Sequence, residues 1–243
     1  MAVTIFQNRR NETDMNLTEK VFETITELRN VDCRLVENKT YDSYQAYIEG
    51  YFIGGLNEAV VRDPESSEYS LGGKITRYYD RVMEHELTSN VYWTTRIRYD
   101  NKNNHAIEEK DLIEILINTT EGFFLANPDW ADDIDKQKAF EKLNALLKYI
   151  KTRRGMFVQE RLSLTFFLEG YIDGFSVYFN IDIREQICEW FSKKANLPKS
   201  FHWATQISDY YQGKTENVDT KLIETLEEFF NENMTSIERS WGC

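Results

Sequence analysis

A chain of 243 residues with 41% hydrophobic and 14% aromatic content, 11 Gly and 3 Pro has enough apolar surface for a sizeable core and lacks the composition of a disordered polypeptide. Its 41 acidic and 29 basic side chains give a formal net charge of −12, a field that repels phosphate backbones and argues against direct binding to DNA or RNA. Cys33, Cys188 and Cys243 are too few for a disulfide framework, and residues 1–14 show no leader pattern, so a soluble cytoplasmic protein with reduced thiols is expected.

Residues 1–14 read as an N-terminal arm. Asn16 followed by Glu19 is a capping pair, and Leu17, Val21, Ile25 and Leu28 recur at helical spacing, which predicts a helix over about 17–30. Residues 31–39 suit either a short strand or a turn. A long helix is expected from Tyr41 to Val61, closed by Asp63-Pro64, followed by a surface loop over 64–73. Further helices are expected over 74–87, around Trp93–Ile97, over 112–117, 135–151, 157–180 and 183–195, around Trp203–Ile207, and over 222–230. Pro198 fits a helix start and Gly213 a helix end. The most apolar stretch, Leu164 to Phe179, is interrupted by Glu169 and Asp173 and is too short to cross a bilayer.

The two halves share blocks in one order. Glu49-Gly50-Tyr51-Phe52-Ile53-Gly54 reads against Glu169-Gly170-Tyr171-Ile172-Asp173-Gly174, an EGYxxG pattern. Trp93-Thr94-Thr95-Arg96-Ile97 reads against Trp203-Ala204-Thr205-Gln206-Ile207, and Leu112-Ile113-Glu114-Ile115-Leu116 against Leu222-Ile223-Glu224-Thr225-Leu226. A weaker block, Lys20-Val21-Phe22-Glu23, opens the first half and matches Lys138-Ala139-Phe140-Glu141. Duplication of a unit of about 105–110 residues is the expected origin. The units are 15–125 and 126–243, packed as one body across the Glu121–Asp135 connection, whose Phe123, Phe124, Leu125 and Trp130 are expected to be packed. The fold class is therefore an all-α bundle of about ten helices with pseudo-twofold symmetry, with room for a small β element in the first unit.

Two glycines four apart inside a helix cost about 1 kcal/mol each relative to Ala. Something offsets that cost in both units. Either the two glycine helices cross each other closely, or the gap admits a ligand lined by Glu49, Tyr51, Glu169 and Tyr171, with Gly50, Gly54, Gly170 and Gly174 supplying the space. Similar environments at a symmetry axis would not drive the two carboxylates into separate acid and base roles. No Glu-x-x-His pair accompanies them, so neither a metal nor a cofactor is expected. Trp93 and Trp203 read as core anchors, and Thr95 and Thr205 as hydroxyls bonding back within their helices. Gly213-Lys214-Thr215 lacks the first glycine of a phosphate-binding loop, since Ser208 stands there. Gly72-Gly73-Lys74-Ile75 fails in the same way. No catalytic motif is present, which leans away from an enzyme.

Charge and aromatic content together suggest an acidic helical module that occupies a basic surface on a partner protein, in the manner of an immunity protein, antitoxin or inhibitor. The exposed aromatic set expected for such a surface is Tyr41, Tyr44, Tyr69, Tyr78, Tyr79, Tyr92, Tyr99, Tyr210 and Tyr211. A scaffolding homo-oligomer, or a small-molecule or enzymatic bundle with its site between the units, are the alternatives. They differ in what the glycine helices do: a closed contact suits a scaffold, an open one a ligand.

Overall fold

A computed structural model describes residues 16–30, 32–55, 71–85, 91–104, 106–128 and 163–240, together with Trp130, Leu147, Ile150 and Lys151. The N-terminal arm, Tyr69, the 64–70 part of the predicted loop, the second member of the weak opening block and most of the predicted 135–151 helix lie outside these residues. Nine α-helices run through the described part: α1 (Leu17–Arg29), α2 (Tyr41–Ile48), α3 (Leu71–Val82), α4 (Trp93–Asn101), α5 (Glu109–Ala126), α6 (Leu164–Phe179), α7 (Ile183–Ala195), α8 (Trp203–Tyr211) and α9 (Val218–Ser240). A π-helical segment, Glu49–Gly55, continues α2 without a break. The protein is all-α, as its periodicity indicates. No strand forms among the described residues, and the stretch from Asp32 to Lys39 runs as turns and bends, which corrects the allowance for a β element.

Local chemistry sets the helix ends. The Asn16 side chain accepts from the Glu19 N–H at 2.9 Å while Glu19 accepts from the Asn16 N–H at 3.0 Å, a complete capping box that starts α1. Asp182 caps α7 through the Glu185 N–H at 2.7 Å. Asn180 and Asn196 end α6 and α7 in the left-handed region. Just past the end of α8, Gly213 has φ +74°, the conformation glycine adopts most easily. Several boundaries differ from the sequence reading: α3 opens already at Leu71 and ends at Val82, α5 extends over Glu109–Ala126 and so contains Gly122, α6 opens at Leu164 rather than near 157, and α9 opens at Val218.

Helix α6 occupies the centre. It crosses α2 and the π-segment most extensively and also touches α1, α7, α8 and α9. Its inner residues Phe167, Leu168, Tyr171, Ile172 and Phe175 are buried, and they join a core that includes Tyr47, Tyr51 and Phe52 from the other helix. A chain of ring contacts runs outward from there: Phe52 lies 5.3 Å from Phe124, and Phe124 lies 5.0 Å from Trp130. This aromatic run packs the start of the connection against the first half, although Leu125, on the outer face of α5, is exposed. Trp93 and Trp203 open α4 and α8, helices of 9 residues each, and both rings are fully buried as expected.

Candidate functional site

The EGYxxG segments meet at the centre of the fold. A Cβ on Gly50 would lie 2.0 Å from the Phe167 carbonyl oxygen, and a Cβ on Gly170 would lie 2.0 Å from the Tyr47 carbonyl oxygen. Each glycine thus faces the carbonyl three residues before the other. These two backbones are in direct contact, and no ligand fits between them. Gly174 is buried in α6, and Gly54 lies in the π-segment. Tyr51 and Tyr171 are fully buried, with the Tyr51 hydroxyl 3.0 Å from Thr24 Oγ1.

Glu49 and Glu169 flank the crossing, yet the described partners of each belong to its own half. Glu49 Oε1 accepts from Gln45 Nε2 at 2.7 Å and from Thr94 Oγ1 at 2.5 Å. Thr95 also serves this cluster, its hydroxyl 3.1 Å from Gln45 Nε2. Glu169 Oε2 lies 3.3 Å from His202 Nδ1 and 3.9 Å from Arg184 Nη1. Glu169 Oε1 is buried and has no hydrogen-bond partner among the described residues. Gln45 and Thr94, both neutral, thus donate to the first carboxylate, while potentially charged groups lie beside the second.

One turn beyond Glu169, Asp173 begins a polar cluster that opens to solvent. Its Oδ1 accepts from Arg184 Nε at 2.7 Å, and its Oδ2 accepts from the Tyr47 hydroxyl at 2.6 Å and from Arg184 Nη2. Arg184 Nη1 donates to the Phe201 carbonyl at 3.2 Å, and the guanidinium stacks 4.6 Å over the Phe201 ring. Burial pulls the Arg184 pKa down, but the Asp173 and Glu169 carboxylates override it and hold the group firmly cationic. Burial, and then the Asp173 charge, push the Tyr47 hydroxyl well above its usual range, so it remains a donor.

This cluster floors a cavity of about 450 Å³ between α1 and α2 on one side and α6 and α7 on the other. Its charged lining is two cations, Lys20 and Arg184, against three carboxylates, Glu23, Asp173 and Asp182. Asp173 already neutralises Arg184, and Lys20 Nζ donates to Asn180 Oδ1. Glu23, exposed at the rim, makes no ion pair among the described residues. Leu35, Val177, Ile181 and Phe201 supply apolar wall, and Phe201 is 45% exposed. Among the described residues no group of three or more His, Cys, Asp or Glu side chains is placed to hold a metal ion, and no helix is long and apolar enough to cross a membrane.

The predicted tyrosine surface divides. Tyr41, Tyr44 and Tyr79 are buried, contrary to the expectation of exposure, because each lies on the inner stripe of its helix. Tyr78, Tyr210 and Tyr211 are half-buried, and Tyr69 lies outside the described residues. Tyr92 and Tyr99 are exposed, the latter by 63%, with Lys102 Nζ 3.8 Å above its ring. Sequence reasoning missed Asp173, Arg184, Tyr47 and Phe201 as a group. The available signal was a second acid inside the most apolar helix, since a carboxylate on a buried face requires a partner. Comparison of the chain with protein-family models, curated proteins and solved structures found no significant match to any of them.

Proposed function

We propose that this chain is an acidic helical module that binds a partner protein through that partner's basic surface, in the manner of an immunity protein, antitoxin or inhibitor, and that the cavity between α1, α2, α6 and α7 receives a Lys or Arg side chain of the partner. The observation that carries the reading is the lining: three carboxylates, two of which, Glu23 and Asp182, make no ion pair among the described residues, beside an exposed phenyl ring. A long cationic side chain lays its methylene stem along apolar wall and its charge against carboxylates, which is what Leu35, Val177, Ile181 and Glu23 offer. Anchors that enter a pocket beside an aromatic ring carry a large share of interface energy. The net charge of −12 supplies long-range steering toward a basic surface.

Two observations support internal duplication as the origin of the fold. The Gly50 and Gly170 contacts are reciprocal with the same offset, and the two Trp-initiated helices have equal length. Under that reading the cavity lies between the duplicated units. The test is affinity purification from native cells at low and high salt with the wild type, Glu23→Lys and Phe201→Ala, followed by titration of the purified partner. A basic protein retained at low salt, weakened at high salt and lost by Glu23→Lys supports the proposal. Retention unchanged by both variants, or no retained protein at either salt, refutes it.

A further inference from the structure

The cavity between α1, α2, α6 and α7 already holds a cation of the chain's own. Lys20 lies on the face of α1 that also presents Glu23 and Thr24 to the cavity, and its Nζ donates to Asn180 Oδ1 on the opposite wall. Asn180 is the C-cap of α6, with φ 58° in the left-handed region. The carbonyl ends of the peptide dipoles gather at such a helix end, so a positive charge is favoured there. Lys20 holds that place.

The acceptor of this lysine is a neutral amide oxygen, yet carboxylates stand on both sides of it. Glu23 follows Lys20 by three residues on α1, and Asp182 follows Asn180 by two. Neither makes an ion pair among the described residues, and Asp182 Oδ1 caps α7 by accepting from the Glu185 N–H at 2.7 Å. Arg184, the other cation of the lining, is committed to Asp173 and to the Phe201 carbonyl. A cation that approaches Glu23 and Asp182 therefore meets the Lys20 ammonium. Like charges at a half-buried site repel more strongly than in bulk water.

We propose that Lys20 is a built-in competitor for the cation this cavity receives. Bound to Asn180, it occupies the end of α6 in the free protein and lowers the affinity for a basic partner. It must be displaced before a Lys or Arg side chain of that partner reaches Glu23 and Asp182. The inference rests on the reading of the cavity as a site for a partner's cation. A resident charge of this kind also sharpens selectivity. A partner with a single cation only trades places with Lys20, whereas a strongly basic surface gains from the long-range field as well. A lysine that merely pinned α1 to α6 would act the other way, since removing its charge would loosen the wall and weaken binding.

Fluorescence anisotropy of labelled hexa-arginine, titrated with the full chain at low salt, tests this. The variants are Lys20→Met, which keeps the methylene stem, Lys20→Arg, which keeps the charge, Glu23→Gln, and Lys110→Gln, which removes one charge at an exposed position outside the cavity lining. Lys20→Met is expected to bind about fivefold tighter than the wild type, an advantage that shrinks as salt rises, while Lys110→Gln changes affinity by less than about twofold. Lys20→Arg is expected to bind like the wild type, and Glu23→Gln to weaken binding. Lys20→Met no tighter than Lys110→Gln, or Lys20→Arg as tight as Lys20→Met, overturns the competitor alone when Glu23→Gln still weakens binding. No saturable binding by either the wild type or Lys20→Met, or an affinity indifferent to Glu23→Gln, overturns the cavity reading together with it.

Discussion

In the first EGYxxG segment the chain leaves the α-helical path at Glu49 and follows a π-helix to Gly55, whereas in the second it holds one α-helix from Leu164 to Phe179. Both glycines make the same contact, so the crossing itself is indifferent to helix type. The variable positions of the motif carry the difference. Ile53 in the first segment corresponds to Asp173 in the second, and that carboxylate recruits Arg184 and Tyr47 into a charged floor. Around the shared glutamate the contrast repeats: Thr94 donates a hydroxyl to Glu49, while Ala204 holds the corresponding block position in the second half, where His202 and Arg184 approach Glu169. A shared backbone contact thus carries amide and hydroxyl donors at the glutamate of one half and an arginine and a histidine beside that of the other.

The largest effect is expected at what the halves share. Gly50→Ala and Gly170→Ala each place a methyl on a carbonyl oxygen of the other helix, and about 3 kcal/mol of destabilisation is expected despite a helix-propensity gain of about 1 kcal/mol. Urea unfolding of both variants measures it, and a loss below about 1 kcal/mol in either one would show that the backbones do not meet as described.

The next effect tests the ionic half. Arg184→Met leaves Asp173 buried without its cation and is expected to cost about 3–5 kcal/mol, most of it recovered when Asp173→Asn is added. Failure of the second substitution to recover stability would assign the loss to packing rather than charge. In the first half, Thr94→Val removes one donor to Glu49, and a smaller cost of about 2 kcal/mol is expected by the same measurement. Equal losses for Thr94→Val and Arg184→Met would erase the distinction between the two clusters.

Alkaline titration gives the mildest probe. Burial, reinforced by Asp173, raises Tyr47, and burial also raises Tyr51, each from an ordinary value of 10.0. The native state keeps protons that the unfolded chain releases above that pH, so stability is full below pH 10 and falls as pH rises further. Cys188 adds a smaller loss over a lower window, because burial pushes its thiol from 9.0 up to about 11. Tyrosinate absorbance of Tyr47 and Tyr51, read as the difference from Tyr47→Phe and Tyr51→Phe variants, that appears only with unfolding, and a Cys188→Ala variant with a flatter decline between pH 9 and 11, are the expected outcomes. Ionisation of these tyrosines at pH 10 in the folded protein would contradict their burial.

Much of the fold was legible in the chain. The capping pair Asn16 and Glu19, the apolar spacing of α1 and the Trp-to-Ile spacing of α4 and α8 are local signals, and each formed as read. The tyrosines were harder, because Tyr41 and Tyr79 carry the same polar hydroxyl as Tyr92 and Tyr99, and only the face each occupies decides its burial. The same limit hid the cavity. Asp173 and Arg184 stand eleven residues apart across a helix end, and Tyr47 joins them only because the glycine crossing brings α2 onto α6.

The sequence by itself determined the helical class, most helix starts and the two glycines that permit a close crossing, since capping, periodicity and the absence of a Cβ act over one or two turns. The tertiary structure alone decided that the crossing is closed, that Glu49 and Glu169 part company, and that charges from α1, α6 and α7 collect at one cavity. Those outcomes depend on which residues from distant helices come within a few ångströms of one another, and electrostatic and hydrogen-bond partners are chosen by that distance rather than by position along the chain.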